Sequence, residues 1–354
     1  MQGMRGGDAR TPTGRYRARL WFASNVSSRA APSRPRPTDV SIKLTENCQA
    51  RCVTCDYWKH RWVNSIDTDT AVRLIGRLAD IGITTLRFTG GEPLLRKDFF
   101  EILDRIDGDP FTTVSLQTNG LLLERLADRV NASPITHVSV SLDGAGERND
   151  HIRGVKGYFE RAIAGLERLK GKTRIIAMTL NQLGAQDLET LIDHVQRLDG
   201  YLACNLPDNR LYFLQGAELT DLWPDRETSD RIVDVLAARL GRQFAGDELD
   251  YVRRYLRQGT PAVAGINPPC VLGYTTVYIA SDGAVRSGCY ALPPLGNVLE
   301  RDILDILDSP AYAERARAMM RLECPGCACG VFTSLRVRHA LGDAIEGVRH
   351  RVGR

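Results

Sequence analysis

Asp39-Val-Ser-Ile-Lys-Leu-Thr-Glu-Asn-Cys48-Gln-Ala-Arg-Cys52-Val-Thr-Cys55 joins an alternating apolar run, Val40, Ile42 and Leu44, to three closely spaced thiols. Alternation with a period of two reads as a strand, and this strand runs straight into polar residues that can face a ligand. The same arrangement returns downstream. Leu86 and Phe88 lead into Thr89-Gly-Gly-Glu-Pro93, Val114 and Leu116 into Gln117-Thr-Asn-Gly120, and Val138 and Val140 into Ser141-Leu-Asp-Gly144. Ile175, Ile176 and Met178 lead into Thr179-Leu-Asn181. Apolar residues at helical spacing lie between several of these runs: Ala71, Leu74, Ile75 and Leu78; Phe99, Ile102, Leu103 and Ile106; Phe159, Ala162, Ile163 and Leu166; Leu188, Leu191, Ile192 and Val195. Gly82, Gly171 and Gly200 follow three of the four, as helix C-termini favour. A succession of five or six βα units implies a parallel sheet with helices outside, either a barrel or a doubly wound sheet. In both, chemistry sits at the carboxyl ends of the strands, where these polar clusters fall.

The 354-residue chain is 43% apolar, enough for a large core and a smaller appendage. Its net charge of +4 is misleading, because residues 1–38 hold eight Arg and one acid, Asp8, and the remainder is net negative. The basic charge therefore belongs to an Arg/Pro-rich arm, read as flexible, whose Tyr16 to Phe22 stretch has the alternative of docking as a short helix. A slightly acidic body removes the main argument for nucleic-acid binding. No secretory signal and no membrane-length apolar run is visible, so a cytoplasmic location is expected, where nine clustered cysteines point to metal rather than disulfides. After about residue 215 the pattern is helical to 265, then changes to a cysteine-bearing region over 266–330 and a tail over 331–354.

Three cysteines can grip one face of a [4Fe–4S] cluster and leave one iron open for another ligand, whereas a structural zinc site would need a fourth ligand close by. Cys48-x3-Cys52-x2-Cys55 after the first strand, with Gly90-Gly91-Glu92-Pro93 after the second, resembles the radical S-adenosylmethionine (SAM) enzymes over roughly residues 39–214. The resemblance implies a partial (β/α)6 TIM-like barrel over 39–215. It also implies a cluster on Cys48, Cys52 and Cys55 whose open iron is chelated by SAM, and reductive cleavage of SAM to a 5′-deoxyadenosyl radical that abstracts hydrogen from substrate. Tyr57, Gly90, Gly91, Glu92, Pro93, Asn119, Ser141, Arg153 and Asn181 are the cofactor-binding residues it implies. Glu92 would face the methionine ammonium and Arg153 the carboxylate.

Cys270, Cys289, Cys324, Cys327 and Cys329, with Gly283 in a hairpin between the first two, resemble the C-terminal extension called SPASM in its long form and Twitch in its short one. Five cysteines suit one auxiliary [4Fe–4S] cluster, with Cys270, Cys289, Cys324 and Cys327 as the natural four-ligand set. The bland alternative is a zinc knuckle. A fully ligated cluster suits electron transfer and hence a net oxidation, and the resemblance implies a small polar substrate such as a sugar, cyclitol or nucleoside-like natural-product intermediate. Redox-neutral epimerisation, dehydration or decarboxylation and peptide modification are the alternatives, with a metal-binding nucleic-acid protein as the non-enzyme one. The partners implied are a small-molecule substrate and an electron donor such as flavodoxin or ferredoxin, with no nucleic acid and no membrane. Substrate contacts are expected from strand ends and from Asn205, Asp208, Asn209, Arg210, Tyr212 and Gln215, while Cys204 reads as a buried small apolar residue or a radical-quenching thiol.

Overall fold

The computed structural model describes residues 14–59, 66–207, 222–244, 247–258, 267–324 and 331–335. Six strands follow the chain in order: β1 (Asp39–Thr45), β2 (Thr85–Gly90), β3 (Thr113–Thr118), β4 (His137–Ser141), β5 (Thr173–Thr179) and β6 (Tyr201–Asn205). Helix α1 (Gly14–Asn25) precedes them; α2 (Thr68–Asp80), α3 (Phe99–Asp104), α4 (Leu123–Ala132), α5 (Gly146–Arg153), α6 (Tyr158–Glu167) and α7 (Leu188–Arg197) connect them. Helices α8 (Arg226–Leu240) and α9 (Glu248–Gln258) follow β6. The C-terminal part holds α10 (Leu272–Thr275), β7 (Thr276–Ile279), β8 (Ala284–Arg286), β9 (Gly296–Asn297), α11 (Ile303–Leu307) and α12 (Pro310–Met320).

The nine described strands join one sheet in the order β6-β5-β4-β3-β2-β1-β7-β8-β9. The first six are mutually parallel, β7 is parallel to β1, and β8 and β9 are antiparallel, so among the described residues the barrel is partial and open. Register sorts the two faces, because paired residues point the same way. Ile42, Phe88, Leu116 and Val138 form one apolar row. They merge into a single core with Leu74 and Leu78 of α2, Phe99 of α3 and Leu191 of α7. The opposite face carries Ser41, Arg87 and Ser115 in one row, Lys43 beside Thr89, and Gln117 beside Ser139. Polar side chains thus line the face that the helices leave free, which is where a ligand can be held.

Two features differ from the sequence reading. Helix α4 buries Leu123, Ala127 and Val130 where no helix is expected, since this short motif is set among charged residues. The arm, read as flexible, has a docked helix from Gly14: Leu20 and Ala23 pack with Val271, Tyr274, Ala316 and Met320. The Tyr16 hydroxyl donates to the Tyr274 carbonyl at 3.3 Å and accepts from the Arg36 amide at 2.8 Å, which anchors both ends of the arm segment. Three-residue spacing of Leu20 and Ala23 puts both on one helix face, so the docking alternative for Tyr16 to Phe22 is the one the fold adopts.

Candidate functional site

The cysteine loop leaves β1 at its carboxyl end and is held from two sides by backbone. On one side the Gly91 amide donates to the Thr45 carbonyl at 2.9 Å and the Glu92 amide to the Asn47 carbonyl at 2.7 Å. This approach needs glycine: a methyl at Gly91 would overlap the carbonyl oxygens of Glu46 and Asn47, and Gly90 sits at φ +138°. On the other side the Arg51 amide donates to the Arg153 carbonyl at 3.1 Å and the Val53 amide to the Ile152 carbonyl at 2.9 Å. Gly154, left-handed at the end of α5, brings that turn against Arg51, where a Cβ would collide with the Arg51 carbonyl. The close backbone approach that the Gly-Gly-Glu-Pro motif allows is therefore, in this structure, an approach to the start of the cysteine loop.

Glu92 is fully buried, and its carboxylate accepts from the Leu94 amide at 3.0 Å, the Thr118 hydroxyl at 2.8 Å and the Asn119 amide at 2.7 Å. Burial raises this carboxyl from 4.5 to about 7, against the three donors, which favour the charged form. Because the folded state then holds its proton more tightly than the unfolded chain, the group's contribution to stability is complete below pH 4.5 and is lost as pH rises through 7. A Glu92→Gln variant sets an NH₂ group against one of the donors and should be less stable by about 1–3 kcal/mol at pH 5. The gap to the parent should narrow between pH 5 and 8, as urea melts at each pH would measure; a gap that widens with pH contradicts the buried, proton-retaining carboxyl.

The thiols have nitrogen donors beside them. Asn119 Nδ2 lies 3.6 Å from Cys48 Sγ and 3.1 Å from Gln49 Oε1, and Arg153 Nη1 lies 4.0 Å from Cys52 Sγ. Burial pushes the Cys48 thiol up to about 11 and Cys55 to about 12, and raises Cys52 as well, so the unligated thiols keep their protons and ligation must release them. Among the described residues no three or more His, Cys, Asp or Glu side chains are arranged to hold one metal ion. The three thiols lie near enough to act on one another electrostatically, and three cysteines suit a [4Fe–4S] cluster, where each binds a different iron, better than a structural zinc ion, which takes four ligands.

Arg153 also forms a buried ion pair with Asp143 at 2.9 Å. The other Asp143 oxygen accepts from the Thr179 amide at 2.7 Å, while its backbone amide donates to Asn149 Oδ1 at 3.0 Å. Asn181 is buried in the adjoining turn, where its Oδ1 accepts from the Gly184 amide at 2.8 Å and its Nδ2 donates to the Thr179 carbonyl at 2.7 Å. Ser141 accepts at its carbonyl from the Tyr158 hydroxyl at 3.0 Å. Tyr57 is buried in a short 3-10 turn just after Cys55. The structure thus brings Glu92, Asn119, Arg153 and Tyr57 around the cysteine loop, and links Asn181 to it through Asp143 and Arg153. Gly154, Gly184 and Lys43, which the sequence reading passed over, belong to the same surroundings. Lys43 carried one visible signal, a charged residue in the middle of an apolar strand.

In the C-terminal part, Cys270 and Cys289 pack together with Leu272 and Met319. Gly288, at φ +69°, allows the Cys289 loop to pass close to the Leu272 carbonyl. Cys324 follows α12, whereas Cys327 and Cys329 lie outside the described residues, as do Asp208, Asn209, Arg210, Tyr212 and Gln215. Cys204 pairs in register with Met178 and packs partly buried against the core, and burial pushes its thiol up to about 12, so it keeps its proton. Among the described residues no helix is long and apolar enough to cross a membrane.

The sequence matches the family model of the Radical SAM superfamily over residues 42–195 and that of the SPASM iron–sulfur cluster-binding domain over residues 270–329. It is similar to the AdoMet-dependent heme synthase of Methanosarcina barkeri (strain Fusaro / DSM 804), at 39% identity over 38% of this chain and 39% of that protein. It is also similar to the sporulation killing factor maturation protein SkfB of Bacillus subtilis (strain 168), at 24% identity over 83% of this chain and 69% of that one. The chain spans 39%, 52% and 54% of the length of three of the curated relatives it matches. Among solved structures, Streptococcus suis SuiB bound to S-adenosylmethionine shares the fold at TM-score 0.62 and 17% identity, over 79% of this chain and 68% of that chain. The two family models bring SAM and iron–sulfur clusters in both parts as the cofactors, two [4Fe–4S] clusters in all. With its cysteine loop clasped at the carboxyl end of β1 and a second cysteine region added to the same sheet, this chain belongs to the radical SAM superfamily and carries a SPASM-type iron–sulfur domain.

Proposed function

We propose that this protein is an enzyme that removes hydrogen from a small polar substrate and passes the second electron of the oxidation to an auxiliary [4Fe–4S] cluster. The observation that carries this reading is the placement of the two cysteine regions: the hairpin leading to Cys289 is paired through β7 directly onto β1, the strand that delivers Cys48, Cys52 and Cys55. When bound, SAM and the first cluster supply a carbon radical able to take hydrogen from an unactivated C–H bond. Cys48, Cys52 and Cys55 would hold that cluster, and Tyr57, Gly90, Gly91, Glu92, Pro93, Asn119, Ser141, Arg153 and Asn181 would surround SAM. Within this set Gly90, Gly91 and Glu92 would act by fixing the loop and the Asn119 backbone, since their close contacts are with the chain itself. Cys270, Cys289, Cys324 and Cys327 would hold the auxiliary cluster. The hydroxyl and amide groups of Ser115, Gln117 and Ser139 on the free face of the sheet favour a hydroxylated substrate, a sugar, cyclitol or nucleoside-like molecule. A flavodoxin or ferredoxin would deliver the priming electron.

A peptide substrate is the second reading, favoured by the likeness to SkfB, a maturation protein matched over 83% of this chain, and to SuiB, whose structure has been solved with a precursor peptide bound. Substrate assays by mass spectrometry separate the possibilities. Anaerobic enzyme with dithionite and SAM should convert a hydroxylated compound to a product lighter by two hydrogens, one per 5′-deoxyadenosine formed. A product of unchanged mass, or one short of water or carbon dioxide, would contradict the oxidative reading, and turnover of peptides alone would replace the small substrate.

A further inference from the structure

Lys43 lies on β1 with its side chain 3% exposed. A buried ammonium must be compensated by its neighbours, because burial penalises the charge. Those neighbours come from three separate stretches of chain. Nζ is hydrogen-bonded to the Tyr57 hydroxyl and lies 4.6 Å from the Tyr57 ring centre. The Tyr290 ring centre is 4.4 Å away, and Tyr290 is itself stacked on Tyr278 at 4.0 Å. Glu46 Oε2 is 3.6 Å from Nζ. Glu46 shortly precedes Cys48, Tyr57 shortly follows Cys55, and Tyr290 follows Cys289 directly. One ammonium therefore touches both ends of the first cysteine loop and the residue joined to a cysteine of the second.

We propose that Lys43 is a positioning residue that ties the two cluster loops together and whose positive charge favours the reduced form of both clusters. The inference rests on the two-cluster reading above. Reduction adds negative charge to a cluster, and a fixed cation in poorly solvated surroundings lowers the cost of adding it. The Tyr57 hydroxyl and the Tyr290 ring hold the cation without neutralising it, and Glu46 at 3.6 Å is the carboxylate it offsets, so removing the ammonium would also leave that negative charge uncompensated. Burial lowers the Lys43 amine to about 8, opposed by Glu46, so it remains charged at neutral pH. A purely structural spacer would be served equally well by an apolar side chain of the same length, which gives the test its discriminating variant.

Anaerobically reconstituted enzyme would be poised at a series of potentials while the reduced cluster signals are followed by electron paramagnetic resonance. Lys43→Met keeps the length and removes the charge; the reduced-to-oxidised ratio of both clusters at a given potential should fall about tenfold, which is about 59 mV for one electron. Lys43→Arg should restore the parent values. Tyr290→Leu keeps the ammonium but removes its contact with the auxiliary side, should shift the auxiliary signal alone, and decides the matter if Lys43→Met takes up no iron. Two parent signals that keep their potentials in loaded Lys43→Met would overturn the inference and leave the two-cluster reading intact. So would a Lys43→Arg shift as large as that of Lys43→Met, or an unmoved auxiliary signal in Tyr290→Leu. A parent enzyme with a single cluster signal would overturn the two-cluster reading, and this inference with it.

Discussion

Asp143→Ala should lower stability by about 3–5 kcal/mol, because it leaves the Arg153 guanidinium buried without its carboxylate. The pair is 2.9 Å apart, with side chains 13% and 1% exposed, so little water is available to replace the lost partner. The damage would not stop at Arg153. The same carboxylate accepts from the Thr179 amide, so its loss also leaves a buried donor at the end of β5. Since the Arg153 and Ile152 carbonyls receive the Arg51 and Val53 amides, a shift of this turn carries directly into the cysteine loop. Denaturant unfolding would measure the stability loss, and iron retained after gel filtration would measure the effect on the loop. A loss under 1 kcal/mol with full iron content would mean that the pair does not organise the site.

Cys52→Ala should reduce 5′-deoxyadenosine formation to background and remove about four irons per chain, since two remaining thiolates cannot hold a site-differentiated cubane. The position is sensitive beyond the lost ligand: Cys52 is buried beside Arg153, and the Cys55 amide donates to the Cys52 carbonyl at 3.3 Å. Cys289→Ala should also lose about four irons, from the other site. SAM cleavage retained in Cys52→Ala would refute the assignment of the first cluster.

The sequence made legible what local periodicity can carry. Val40, Ile42 and Leu44 announce β1, Leu74 and Leu78 announce α2, and the cysteine spacing announces a loop of three thiols at the end of the strand. What it did not carry were partnerships between distant segments. Nothing in Thr276–Ile279 indicates that this short run lies parallel to β1, more than two hundred residues earlier, because pairing leaves no trace in either strand alone. Glu92 and Asp143 look like rim carboxylates free to meet a ligand; both are buried, and their oxygens are occupied by chain donors visible only once β3 and β5 stand beside them. Gly154 and Gly184 gave no hint of their importance, since a glycine that lets two backbones touch resembles any other glycine. Lys43 was visible as an anomaly within an apolar strand, yet its meaning depends on Tyr290 arriving from the C-terminal part.

The central claim is that two iron–sulfur clusters and SAM work together on one sheet, and anaerobic reconstitution of the full chain tests it most directly. Reconstituted protein should hold about eight irons per chain, and 5′-deoxyadenosine should appear only when dithionite, SAM and reconstituted protein are all present. Iron binding near zero, or a fully loaded protein that leaves SAM intact under dithionite, would contradict it.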